Sequence, residues 1–226
     1  MTDFFSSFIP YLANIIHSVL HLDQTLAFWL QTYGSGVYFV LFIIIFCETG
    51  LVVMPFLPGD SLLFTAGALS AISNEQLKVE LIIPLLILGS IFGDSVNYYA
   101  GSKWGRKAFE TKHRFSFLFS KKHLYSTEHF YKKKGRWAVA LARFFPIIRT
   151  FAPFVAGITL MPYKQFLRYS VAGTIVWVSI FTLAGYYFGQ IPFIQKNFTA
   201  LIMGIVAISL APLAVSFFKQ YFSKIH

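Results

Sequence analysis

Six long apolar runs take up most of this chain, and two of them each hold two prolines where a membrane-crossing helix would need an intact backbone. The runs are 37–46, 51–72, 81–100, 137–161, 171–188 and 198–218. Several approach the roughly 20 residues that a helix needs to cross a hydrocarbon core of ~30 Å. Composition agrees: 56% of the 226 residues are hydrophobic and 12% are charged, too apolar a balance for an ordinary soluble domain. The bilayer is the expected solvent and the expected fold is an all-α polytopic membrane protein.

The run 51–72 contains Pro55, Pro58 and Gly59, and a Pro-Gly pair is a strong helix breaker. The pieces on either side reach only about 10 to 18 Å at 1.5 Å per residue, short of a crossing. The expectation is a re-entrant helical hairpin that enters and leaves on the outer face, tolerable where protein or a wet cavity covers its backbone. A single kinked span is the alternative. In 137–161, Pro146 and Pro153 bracket Arg149 and both flanks are basic, so a second hairpin is expected from the cytoplasmic face.

Charge supplies the orientation. The net charge is +10, but eleven Lys and Arg lie in 102–136 against Glu110 and Glu128 alone. Positive residues concentrate in cytoplasmic loops, so this is a topology signal before it is a binding surface, with anionic headgroups as the functional rival and no nucleic acid as partner. The N-terminus, the basic loop and the C-terminus are placed in the cytoplasm. The first run then crosses outward and ends at Glu48, and 81–100 returns inward. Residues 1–33 read as an amphipathic interfacial segment, with Phe4, Phe8, Tyr11, Leu12, Ile15 and Val19 at helical spacing. Residues 34–218 read as one transmembrane domain and 219–226 as a cytoplasmic tail. Two hairpins entered from opposite faces make an inverted repeat. Pro58-Gly59-Asp60 with Ala66-Gly67 echoes Pro146 to Arg149 with Ala156-Gly157. That architecture belongs to transporters with a midplane site.

Glu48, Asp60, Asp94, Arg143 and Arg149 lie in or beside apolar runs. A central membrane charge costs about 2.5 to 3.5 kcal/mol on insertion scales, so each is a functional candidate. Arginine offers a planar, permanently charged fork matched to phosphate oxygens. Arg143 and Arg149 are therefore candidate substrate-binding residues. If all five groups ionise, one proton neutralises the cluster, which makes Glu48 or Asp60 a candidate for proton coupling. Two plainer readings stay open: Asp60 as a helix N-cap, and the arginines as structural partners of Glu48 and Asp60. The glycines in Gly89 to Gly101 read as close helix packing. Cys47 is the only cysteine, which excludes an intramolecular disulfide and a cysteine metal site; no metal or cofactor is expected. No basic residue precedes Lys78, so no cleavable signal peptide is expected. All six histidines fall outside the two hairpins, which argues against a membrane phosphatase or phosphotransferase.

Three stretches together carry a resemblance: Phe46 to Leu63, Gly93-Asp94 with Asn97-Tyr98 and Gly101, and Ala142 to Pro153. With Trp177 and Gly185 to Gly189, they closely resemble the bacterial DedA family of SNARE-associated, VTT-domain membrane proteins. The resemblance implies an inner-membrane protein with two opposed re-entrant hairpins. It carries the family's acids and arginines onto Glu48, Asp60, Arg143 and Arg149, with Asp94, Pro58, Gly59, Asn97, Tyr98 and Pro146 as supporting residues. It implies a flippase that recycles undecaprenyl phosphate between leaflets with proton coupling, so the partners are an anionic polyprenyl phosphate, protons and membrane lipids. The alternative is a proton-coupled transporter of small cations or drugs. An oligomer is compatible with either.

Overall fold

The computed structural model describes residues 22–51, 59–72, 77–105, 137–191 and 204. Among these, the regular elements are helices α1 (Leu22–Tyr33), α2 (Gly36–Gly50), α3 (Gly59–Ile72), α4 (Val79–Ala100), α5 (Ala138–Ala142), α6 (Pro146–Ile158) and α7 (Tyr163–Phe188). A π-helical turn, Gly101–Gly105, continues α4. The segment Val79–Lys103 and α7 are long and apolar enough to cross a membrane, with mean hydropathies of 1.9 and 1.6. Helices α2 and α3 are apolar but have 15 and 14 residues, about 20 Å each and too short to span. Residues Phe4 to Val19, Pro58, the basic loop from Arg106 to Arg136, the last apolar run and all six histidines lie outside the described residues.

The described chain falls into two compact units. One contains Tyr38–Phe56 and Glu80–Ile180. In it, α2 lies along α4 with backbone meeting backbone. A Cβ placed on Gly89 would come 3.1 Å from the Phe42 carbonyl oxygen, and one on Gly93 2.7 Å from that of Phe46. Both helices advance by four residues between these contacts, so they run in the same direction. This corrects the expectation of an outward crossing that ends at Glu48 and is followed by an inward α4.

The later segment of this unit repeats the arrangement. A Cβ on Gly173 of α7 would lie 2.8 Å from Ala140 Cα, and the rings of Trp137 and Tyr169 are 5.1 Å apart, so α5 also runs parallel to α7. Between α5 and α6 the helix breaks at Arg143, Phe144 and Phe145, with Phe145 extended at φ −120°. Pro146 then opens α6, at the position where its missing N–H is no loss. Pro153, inside α6, withholds the N–H that would close on the Arg149 carbonyl. The apolar core here is Tyr98, Val139, Ala156 and Phe166, with Tyr98 stacked 4.7 Å from Phe166 and its hydroxyl donating to the Met161 carbonyl.

The other unit contains Met1–Val37, Leu57–Val79 and Phe181–His226. Leu26 and Leu30 of α1 are buried while Phe28 is exposed. Helix α3 packs on the end of α7 through two glycines. Gly67 faces the Thr182 carbonyl and the Tyr186 amide, and Gly185 faces the Phe64 carbonyl. The first unit has the same contact between α6 and the end of α4: Gly157 faces the Tyr98 carbonyl and the Ser102 amide, and Gly101 faces the Phe154 carbonyl. Two helix pairs far apart in sequence thus share one docking geometry, in which a missing Cβ on each helix admits the other's backbone.

Candidate functional site

Within the first unit, α2, α4, the break before α6, and α7 bring four charged side chains into apolar surroundings. Glu48, in the last turn of α2, is 1% exposed and Asp94, in the last third of α4, is 4% exposed. Arg143 lies in the break after α5 and Arg149 in the first turn of α6, and both are buried. Arg149 Nη2 donates to Glu48 Oε1. Arg143 Nη2 donates to Asp94 Oδ2, while its Nη1 donates to Ser90 Oγ at 2.8 Å. Ser170 Oγ, from α7, donates to the same Asp94 oxygen and accepts from Arg143 at 3.3 Å. Trp177, fully buried on α7, lies against both guanidinium groups, its ring centroid 5.7 Å from Arg143 Cζ and 4.8 Å from Arg149 Cζ.

Local electrostatics do not favour two of these placements. Glu48 sits at the negative end of the α2 dipole and Arg149 at the positive end of the α6 dipole, each disfavoured by about 0.3 to 1 kcal/mol. Their pairing across the helices offsets both terms and removes the net charge from the apolar interior. The geometry therefore comes from tertiary packing, and Asn97 is the clamp that sets it. Its Nδ2 donates to the Thr49 carbonyl at 3.1 Å and to the Thr150 carbonyl at 2.9 Å. These carbonyls belong to the residues that directly follow Glu48 and Arg149, so one amide holds the two pairing residues in register. Only the NH2 end of an amide can serve two carbonyls, which fixes how Asn97 is turned. Asn97→Leu should lower stability by about 2 to 3 kcal/mol through two lost buried hydrogen bonds, read as a lower thermal midpoint in nanodiscs.

The structure rearranges the pairing expected from sequence. Arg149 pairs with Glu48, and Arg143 pairs with Asp94. Asp60 stands in the first turn of α3, in the other unit, where Gly59 begins the helix. Pro146 is the first residue of α6, and Tyr98 packs in the aromatic core instead of touching the ion pairs. Ser90, Ser170, Trp177 and the carbonyls of Thr49 and Thr150 were not anticipated as parts of the site. A signal for some of them exists: Ser90, Asp94 and Asn97 recur at four- and three-residue spacing on an otherwise apolar helix, as Ser170, Thr174 and Trp177 do on α7. Among the described residues, no cluster of three or more His, Cys, Asp or Glu could hold a metal ion.

Among the described residues the elements are helical, two of them are long and apolar enough to cross a membrane, and a charge-paired polar site is buried among them, the makings of a membrane protein whose kind comparison with known proteins specifies. The VTT domain matches residues 57–187. The chain is 48% identical over 198 residues to the protein DedA of Escherichia coli K12, covering 88% of this chain and 90% of that one. It is 40% identical over 198 residues to a membrane protein of Mycobacterium tuberculosis, covering 86% of each chain. It is also 34% identical over 163 residues to the Escherichia coli inner membrane protein YghB, covering 72% of this chain and 73% of that one. No solved structure matches. The chain belongs to the DedA family of VTT-domain membrane proteins.

Proposed function

We propose that this protein is an inner-membrane flippase for a lipid phosphate, with undecaprenyl phosphate as the substrate that the family resemblance suggests, and that proton binding drives the step. The observation that carries this reading is the pair of buried arginines, each paired with a carboxylate. A phosphate oxygen can replace a carboxylate oxygen on a guanidinium fork with little change of geometry. The carboxylate so released is left in an apolar site, where taking up a proton restores neutrality. Each negative charge that enters with the headgroup is thus matched by one proton on Glu48 or Asp94, which makes Asp94 as strong a coupling candidate as Glu48. Asp60, in the other unit, belongs to the same proposal as a second proton site.

The membrane arrangement is part of the proposal. With the basic loop cytoplasmic, α4 runs inward, and α2 runs parallel to it. Helices α5 and α6 form the second hairpin, entered from the cytoplasm, which completes an inverted repeat.

The test is leaflet-resolved translocation in reconstituted vesicles, with polyprenyl phosphate, a phospholipid control and an imposed pH gradient. Polyprenyl phosphate should cross faster than the phospholipid, and collapsing the gradient should slow it. Arg149→Lys keeps the charge but loses the fork, and should reduce transport about tenfold, equivalent to one charge-assisted hydrogen bond. Equal rates for both lipids, with cation flux that follows the gradient, would instead favour the proton-coupled transport of small cations or drugs.

A further inference from the structure

The repeat of glycines along the two long helices breaks at one position. On α4, Gly89 and Gly93 let α2 approach backbone to backbone. On α7, Gly173 lets α5 approach in the same way. Four residues beyond it, where α4 has its second glycine, α7 has Trp177. An indole there prevents a continued close approach of backbone, and both arginines reach its ring. Its ring centroid is 5.7 Å from Arg143 Cζ and 4.8 Å from Arg149 Cζ. The two guanidinium carbons are therefore no farther apart than the sum of those distances. Trp177 is fully buried, and in a desolvated setting the attraction of a cation to an indole face is at its strongest.

We infer that Trp177 is the positioning residue of the lipid-phosphate site, a common platform that holds both guanidinium groups when a ligand phosphate displaces Glu48 and Asp94. This inference rests on the reading given under the proposed function. The physical reason is the difference between the partners. A carboxylate that takes up a proton loses most of its hold on an arginine, whereas the ring quadrupole of Trp177 does not titrate. An arginine released by its acid thus stays over the ring, in place for a phosphate oxygen. Two forks on one platform suit a tetrahedral headgroup with several equivalent oxygens better than a planar carboxylate or a single-point anion. The class of ligand is a phosphate monoester on a lipid tail.

Fluorinated tryptophans incorporated at position 177, with Trp29, Trp104 and Trp137 replaced by Phe, test this without changing the shape of the site. Each added fluorine weakens the ring's attraction for a cation. In reconstituted vesicles, the half-saturating concentration of polyprenyl phosphate should rise about twofold to threefold per step of fluorination, with the folded fraction unchanged. The 19F resonance of 5-fluorotryptophan at 177 should also shift on Arg143→Gln and on Arg149→Gln, with no lipid added. Trp177→Phe should retain part of the activity and Trp177→Leu should lose it. Wild-type translocation that is insensitive to fluorination overturns the inference and leaves the flippase reading standing. Absence of polyprenyl phosphate translocation by the unfluorinated protein overturns the flippase reading, and with it the lipid-phosphate role of Trp177. A 19F signal indifferent to both arginine substitutions overturns the platform itself.

Discussion

Arg149→Ala should destabilise the protein by about 3 to 5 kcal/mol, because it removes the guanidinium from a carboxylate held in an apolar interior. Glu48 is 1% exposed and its Oε1 accepts from Arg149 Nη2, so the lost partner is not replaced by bulk water. The double substitution Glu48→Gln with Arg149→Met should recover most of that stability, since a neutral pair of similar volume needs no compensation for desolvated charge. It should not recover translocation. Thermal unfolding in nanodiscs beside leaflet-resolved transport separates the two effects. A double variant that is stable and also active would remove Arg149 and Glu48 from the transport site and leave them a structural role.

Gly93→Ala is the second large effect, and it acts through the backbone. A Cβ at this position would run into Thr49 Oγ1 and lie 2.7 Å from the Phe46 carbonyl oxygen and 2.9 Å from the Gly50 amide. The hydroxyl can turn away, but the two backbone groups belong to the α2 ladder and cannot. Overpacking of this kind costs about 1 to 3 kcal/mol, and here it acts one residue from Glu48, so α2 must shift and carry that carboxylate away from Arg149. Translocation should fall more steeply than stability. Gly34→Ala is the control. Gly34 has φ +52° with nothing within 4 Å of a built Cβ, so its cost is a backbone term of about 1 to 2 kcal/mol and transport should be retained. Equal losses of transport in both variants would mean that general instability, and not displacement of Glu48, accounts for the Gly93 effect.

The two arginine pairs illustrate how far residue types alone lead. That Glu48, Arg143 and Arg149 are charged within apolar runs is visible in the sequence, and the cost of a bare charge in hydrocarbon requires that they be paired or wetted. Which acid meets which arginine is not visible, because pairing depends on which faces of four helices meet. Asp94 and Ser170 approach Arg143 only because α4 and α7 both pass the break after α5. Proline spacing likewise announces breaks in two apolar runs and helix lengths too short to span. It does not reveal that α2 runs parallel to α4. That direction is set by Gly89 and Gly93 opposite Phe42 and Phe46, a contact between segments far apart in the chain.

Membrane residence, helical class, the list of buried charges and the family resemblance were therefore properties of the sequence itself. They follow from local quantities: the transfer free energy of side chains, helix rise per residue, the missing N–H of proline, and the motifs read in order. The partner of each charge, the clamp by Asn97, the shared indole and the direction of α2 were decided by the tertiary structure. Each depends on two or more helices coming within hydrogen-bond or van der Waals distance, and a glycine's missing Cβ governs that approach only when the opposing backbone is in place.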